Sequence, residues 1–123
     1  MAKRFTDSDK WKDRFFRQLK TEYKLLWLYM WDDCNHAGIW SVDFEVGKVR
    51  LGVDIDEKEA LKQFGIEVQV IDNGDKWFMP GFIEFQYGKT LDPDVKAQKS
   101  VLKILHEHNV DCEDYLYGKE LPF

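Results

Sequence analysis

Tyr23–Asp43 reads YKLLWLYMWDDCNHAGIWSVD, and this stretch decides the fold. Tyr23, Leu26, Trp27, Met30 and Trp31 recur at i, i+3, i+4, i+7 and i+8, one face of a helix, while Leu25, Leu28 and Tyr29 make its flanks apolar as well. A helix apolar almost all round belongs at the centre of a domain. Asp32, Asp33, Cys34 and Asn35 close it, Gly38 supplies a turn, and Ile39, Trp40 and Val42 continue as a strand of bulky residues.

Working outward, the central helix is predicted from about Thr21, an N-cap candidate, to about Asp33. Upstream, Thr6-Asp-Ser-Asp9 offers caps for a helical segment from Trp11 to Leu19, with Trp11, Phe15, Phe16 and Leu19 on one face. Downstream, Asp43 caps a helix Phe44–Leu51 that Gly52 ends. Asp56 and Glu59 form a capping box, with an Ile55/Ala60 staple, for a helix Glu57–Phe64 that stops at Gly65. Ile66 to Val70 alternates with period two, Asp72-Asn-Gly-Asp75 is a hairpin signal, and Lys76–Met79 returns as a strand. Phe82 to Tyr87 is short, bracketed by Gly81 and Gly88, and leans helical over strand. Asp92-Pro93-Asp94 opens a last helix to about His108, with Ala97, Val101, Ile104 and Leu105 on its core face.

Helix, strand, helix, helix, strand, turn, strand is the order of a winged helix-turn-helix. The expected class is therefore α+β, mainly α, with a small three-stranded antiparallel sheet and additional N- and C-terminal helices. Residues 1–20 read as a basic helical extension, 21–108 as the winged-helix domain, and 109–123 as a fraying tail or the start of a linker.

At 123 residues the chain suits one domain with a real core, and aromatic residues at 15% supply large units for it. No run approaches the ~18 apolar residues of a membrane span, and the start lacks a signal peptide's apolar core. A cytoplasmic protein with free thiols at Cys34 and Cys112 is the expectation. Cys34 with His36, and His106 with His108 and Cys112, are acceptable zinc-ligand types. Residues two apart on a helix do not face each other, however, so neither a metal nor another cofactor is expected. Phosphate loops, nucleophile elbows and H-E-x-x-H are absent from the sequence. Asp32-Asp33 and Asp54/Asp56 have structural roles at helix ends, so a non-enzymatic function is expected.

Charge locates the candidate binding residues. Net charge is −5, yet residues 1–24 carry eight basic side chains against four acidic, and residues 43–75 carry four against nine. The basic candidates are Lys12, Arg14 and Arg17 near the N-terminus, and Lys96, Lys99 and Lys103, which fall within about 60° on a helical wheel. A stripe of this kind can lie along a phosphate backbone, and it also describes any solvated helix face. By position, Lys58, Lys62 and Gln63 lie on the candidate recognition helix, and Asn73, Gly74 and Lys76 on the wing. Glu57, Glu59, Asp72 and Asp75 stand there among them, where a DNA reader places Lys or Arg. An acidic face of this kind also suits a protein-interaction or oligomerisation domain that docks a basic partner.

The segments RFTDSDKWKDRFFRQL, YKLLWLYMWDDCNHAGIWSVDFE, KWFMPGFIEFQYG and KAQKSVLKIL together resemble the N-terminal winged-helix domain of phage and prophage replication proteins, of the replisome-organiser or DnaD-type class. The resemblance spans about Arg4 to Leu105. It implies a DNA-binding module of a replication initiation protein that contacts origin or single-stranded DNA or self-associates. It also implies a linker and a second domain after it, recruiting helicase or helicase loader.

Overall fold

The aromatic run of Tyr23–Asp43 becomes the central helix and first strand of the structure, a computed structural model that describes residues 3–123. Its elements are α1 (Arg14–Gln18), α2 (Thr21–Asp33), β1 (Ile39–Ser41), α3 (Phe44–Leu51), α4 (Glu57–Phe64), β2 (Gln69–Ile71), β3 (Lys76–Phe78), α5 (Pro80–Tyr87), α6 (Lys96–Glu107) and α7 (Glu113–Leu116). Strand order is β1-β3-β2, all antiparallel. This is a mainly helical α+β fold, a winged helix-turn-helix with additional helices at both ends.

The sheet divides the interior in two, because successive strand residues point to opposite faces. Trp40 pairs with Trp77 on one face, their ring centroids 5.5 Å apart. That face packs against Phe16 of α1, Leu26 and Met30 of α2, and Phe64 of α4. On the other face Ile39 and Phe78 pair, joined by Ile71, and meet Val101, Leu102 and Leu105 of α6. α5 joins the two layers, with Phe82 in the first and Ile83 in the second.

Local chemistry sets the ends of these elements. Asp43 accepts from Val46 N at 3.0 Å and Asp56 from Glu59 N at 2.9 Å, each starting a helix, and Gly52 (φ +68°) ends α3. The Asp56 box is half-formed, since Asp56 N donates instead to the Tyr23 hydroxyl at 3.1 Å. Ile55 and Ala60 are both buried, as a staple requires.

Five expectations are corrected. The N-terminal segment is not one helix from Trp11. A single 3₁₀ turn, Ser8–Lys12, precedes α1, because the Asp13 side chain caps Phe15 N in place of continuing the helix, and Trp11 is left 60% exposed. Thr21 is the first residue of α2, with Lys20 at the cap position and no side-chain cap bond. The strand expected from Ile66 begins only at Gln69, since Gly65–Glu67 forms a 3₁₀ turn and Ile66 is 95% exposed.

The last helix starts at Lys96, not after Asp92. Asp92 Oδ1 accepts from Asp94 N and closes a turn, Val95 becomes the cap, Ala97 is exposed, and Leu102 joins the core face. Residues 109–116 do not fray: Val110, Cys112 and Leu116 are buried, and Leu91 N donates to Tyr115 O at 2.8 Å, while no helix or strand follows Leu116. Phe16 and Leu19 are likewise buried, so both end segments share the cores of the central domain.

Candidate nucleic-acid interface

α6 presents the clearest basic surface. Val101, Leu102 and Leu105 hold it against the sheet, which turns Lys96, Lys99 and Lys103 to solvent, and none of the three has an ion-pair partner among the described residues. Two contacts fix the helix along its length. His36 Nε2 lies 2.9 Å from Ser100 Oγ near its start, and His108 Nδ1 lies 2.6 Å from Asp72 Oδ2 at the wing turn. The lysines therefore stand on a helix tied to the rest of the domain at two points.

Lys12, Arg14 and Arg17 are also exposed, without ion-pair partners among the described residues. They do not join the α6 stripe. Their segment packs through Phe15 and Phe16 in the Trp40/Trp77 layer, while α6 lies against the opposite face of the sheet. Other N-terminal cations are engaged internally. Arg4 donates to the carbonyl oxygens of Trp31 (3.0 Å), Asp32 (2.7 Å) and Cys34 and lies over the Phe82 ring, capping the end of α2. Lys24 Nζ donates to Leu19 O at 2.7 Å. The raw count of charges misses this, because an arginine beside unsatisfied helix carbonyls becomes a capping residue.

The candidate recognition helix α4 is poorly equipped as a reader. Lys58 and Lys62 are exposed, but Gln63 is held at both ends of its amide: Oε1 accepts from Lys20 N at 3.1 Å and Nε2 donates to Glu59 at 3.0 Å. The Glu59 carboxyl sits below its ordinary range because the Gln63 amide and the Lys20 ammonium stabilise its charge. At the wing, Asn73 (φ +56°) and Gly74 (φ +96°) form the tip, and Lys76 donates to Ser41 Oγ at 2.6 Å on the α6 side of the sheet.

Cys34 and Cys112 lie in different layers, both buried, and burial pushes the Cys34 thiol up to about 12. His36 faces Ser100, His108 faces Asp72, and His106 stacks on Phe123 at 5.4 Å. Among the described residues no three His, Cys, Asp or Glu side chains gather as a metal-binding group, and no helix is long and apolar enough to cross a membrane. Comparison with known proteins returns no matching family model, no matching characterised relative and no matching solved structure.

Proposed function

We propose that the chain is a non-enzymatic DNA-binding module, working in the cytoplasm, that contacts the phosphate backbone through α6. The observation that carries this reading is the stripe Lys96, Lys99 and Lys103, exposed, without ion-pair partners among the described residues, and held on one face of α6. Opposite that stripe the helix is anchored by apolar contacts, so the lysines are available for phosphates at no cost to the core. The resemblance to replisome-organiser and DnaD-type proteins supports a place in replication initiation. Helicase or a helicase loader would be partners through a further region, and self-association would be a property of the assembled protein.

Binding of labelled single- and double-stranded DNA, followed by fluorescence anisotropy across a salt series, tests this reading. Each lysine that neutralises a phosphate contributes about 0.9 to the salt slope on duplex and about 0.7 on single strands. A Lys96→Gln/Lys99→Gln/Lys103→Gln protein should therefore lose roughly 2–3 units of slope on duplex, and the same changes at Lys12, Arg14 and Arg17 should matter less. Equal loss from both sets would refute an interface confined to α6. Absence of binding at low salt would leave the second reading, a module that docks a basic partner protein through its acidic α4 and wing. Glu57 and Asp75, exposed and without ion-pair partners among the described residues, favour it, while Glu59 and Asp72 on the same elements are engaged by Lys20 and His108.

A further inference from the structure

We propose that the groove between the N-terminal segment and α2 receives a lysine or arginine side chain carried on a peptide segment of a partner protein. The groove measures about 170 Å³, and its lining includes Trp27, Trp31 and Phe85 together with Asp7, Asp13 and Glu67. A volume near 150 Å³ holds a benzene-sized group, whereas pockets for drug-sized ligands run to roughly 300–1,000 Å³. The space therefore matches one side chain, not a nucleotide or a cofactor.

Charge selects which side chain. Three carboxylates line the groove against one ammonium, Lys10, and that ammonium is engaged with the Thr6 hydroxyl. Asp7 and Asp13 each accept a local backbone N–H, from Asp9 and Phe15, which leaves lone pairs on both. Glu67, only partly exposed, has neither a hydrogen-bond nor an ion-pair partner among the described residues. Burial first, and then the charge of Asp13, push its carboxyl above the ordinary range, as expected of a charge set down without its counter-ion. Aromatic faces beside carboxylates favour ammonium and guanidinium groups, and they repel phosphate.

The apolar part of the lining fits the stem of such a side chain. Trp27, Trp31 and Phe85 suit the methylenes of a lysine or arginine, which a bare metal ion lacks, while the carboxylates meet its charged end. The indole N–H of Trp31 is itself buried and takes no part in the contact. This site lies on the α1/α2 side of the sheet and is independent of any DNA contact made by α6.

The test uses N-acetylated, C-amidated pentapeptides Gly-Gly-X-Gly-Gly, with X as lysine, arginine, norleucine or glutamate, titrated into ¹⁵N-labelled protein. Indole N–H resonances are followed by NMR. Lysine or arginine should move the Trp27 and Trp31 signals saturably, leaving those of buried Trp40 and Trp77 in place as a control for the fold. Loss of one charge-assisted contact in Glu67→Gln should weaken binding about tenfold. Asp13→Asn, which keeps a capping side chain, should weaken it similarly, and unchanged Trp40 and Trp77 signals certify that each variant is folded. Equal shifts with norleucine or glutamate would overturn the proposal, as would no shift with either basic peptide up to about 10 mM, an affinity of under ~3 kcal/mol.

Discussion

The two faces of the small sheet are built from different materials. On the Trp40/Trp77 side the buried set is rich in aromatic residues, Phe16, Tyr23, Trp40, Phe64, Trp77 and Phe82, and Phe44 and Phe64 meet Trp77 edge-on. On the Ile39/Phe78 side it is mainly aliphatic: Ile71, Ile83, Leu91, Val101, Leu102, Leu105 and Leu116. Both buried side-chain donors without partners among the described residues, the indole N–H groups of Trp31 and Trp77, lie in or against the aromatic layer. Large rings bury much area from few residues, but tryptophan and tyrosine bring a polar atom along, whereas aliphatic residues fill space without that cost and must be gathered from many parts of the chain.

That gathering makes the aliphatic layer the more vulnerable to loss of a segment. Val110, Cys112 and Leu116 are all buried in it, and at roughly 1.5–3 kcal/mol for each large apolar side chain their removal approaches the total stability of ~5–15 kcal/mol expected of a domain. A protein truncated after His108 should therefore lose its cooperative thermal transition. Thiol labelling of Cys34, buried in the aromatic layer and the cysteine that the truncation keeps, shows whether that layer opens as well. In the truncated chain, Cys34 retaining protection would mean that the aromatic layer holds on its own. Rapid labelling would mean that the two layers fold as one unit.

A single truncation in the aromatic layer should cost less than losing the tail, yet more than most substitutions. Trp77→Ala removes a fully buried ring that touches Trp40, Phe44 and Phe64, with an expected loss of about 3–5 kcal/mol in urea melts. Trp77→Phe should recover much of this, because it keeps an aromatic ring and deletes the unpartnered N–H. If phenylalanine proves as damaging as alanine, the orphan donor is not a liability, and the comparison between the two layers loses its energetic content.

The same contrast explains what could be read in advance. The aromatic layer announces itself through the spacing of Tyr23, Leu26 and Met30 and through caps at Asp43 and Asp56, where one residue decides a helix start. The aliphatic layer draws on Leu91, Val110 and Leu116, which stand in segments without periodicity and become core only because α6 and the wing side of the sheet form a surface for them. The lysine stripe on α6 is legible because a helix converts spacing into a face. Its separation from Arg14 and Arg17 is not, since that depends on which side of the sheet each helix packs. The groove at Trp31 is hidden for the same reason: Asp13, Trp31, Glu67 and Phe85 come from four separate parts of the chain.

Backbone requirements distinguish the junction of the layers from their periphery. Gly38 (φ +77°) sits where α2 turns into β1, and a Cβ there would stand 2.9 Å from Phe82 Cβ and 3.1 Å from Met79 O. Gly52 (φ +68°) has the same handedness, with nothing within 4 Å. Gly52→Ala should cost about 1–2 kcal/mol, the strain of a left-handed residue alone. Gly38→Ala adds a clash between packed elements and should cost about 2–4 kcal/mol. Similar losses for the two would show that α5 can move away from the turn, and the two layers would then be less rigidly joined than Phe82 and Ile83 suggest.

The smallest effect tests whether a charge beside the aromatic layer is there at the expense of stability. Burial raises the Glu67 carboxyl above its ordinary value of 4.5. The folded state then binds that proton more tightly than the unfolded state, so stability falls as pH rises from the unfolded value through the folded one, and the full penalty is present at neutral pH. Glu67→Gln has no such penalty. It should melt about 1–3 °C above the parent at pH 7, because a partly exposed charge is worth under ~1 kcal/mol and ~1 kcal/mol moves Tm by about 4 °C at this size. Below the ordinary carboxylate value both forms are neutral and the gap should close. A variant no more stable than the parent at pH 7 would mean that Glu67 already has a counter-ion in the free protein. A gap that opens at pH 7 and then reverses when a lysine peptide is added would tie the destabilising carboxylate to the ligand that neutralises it.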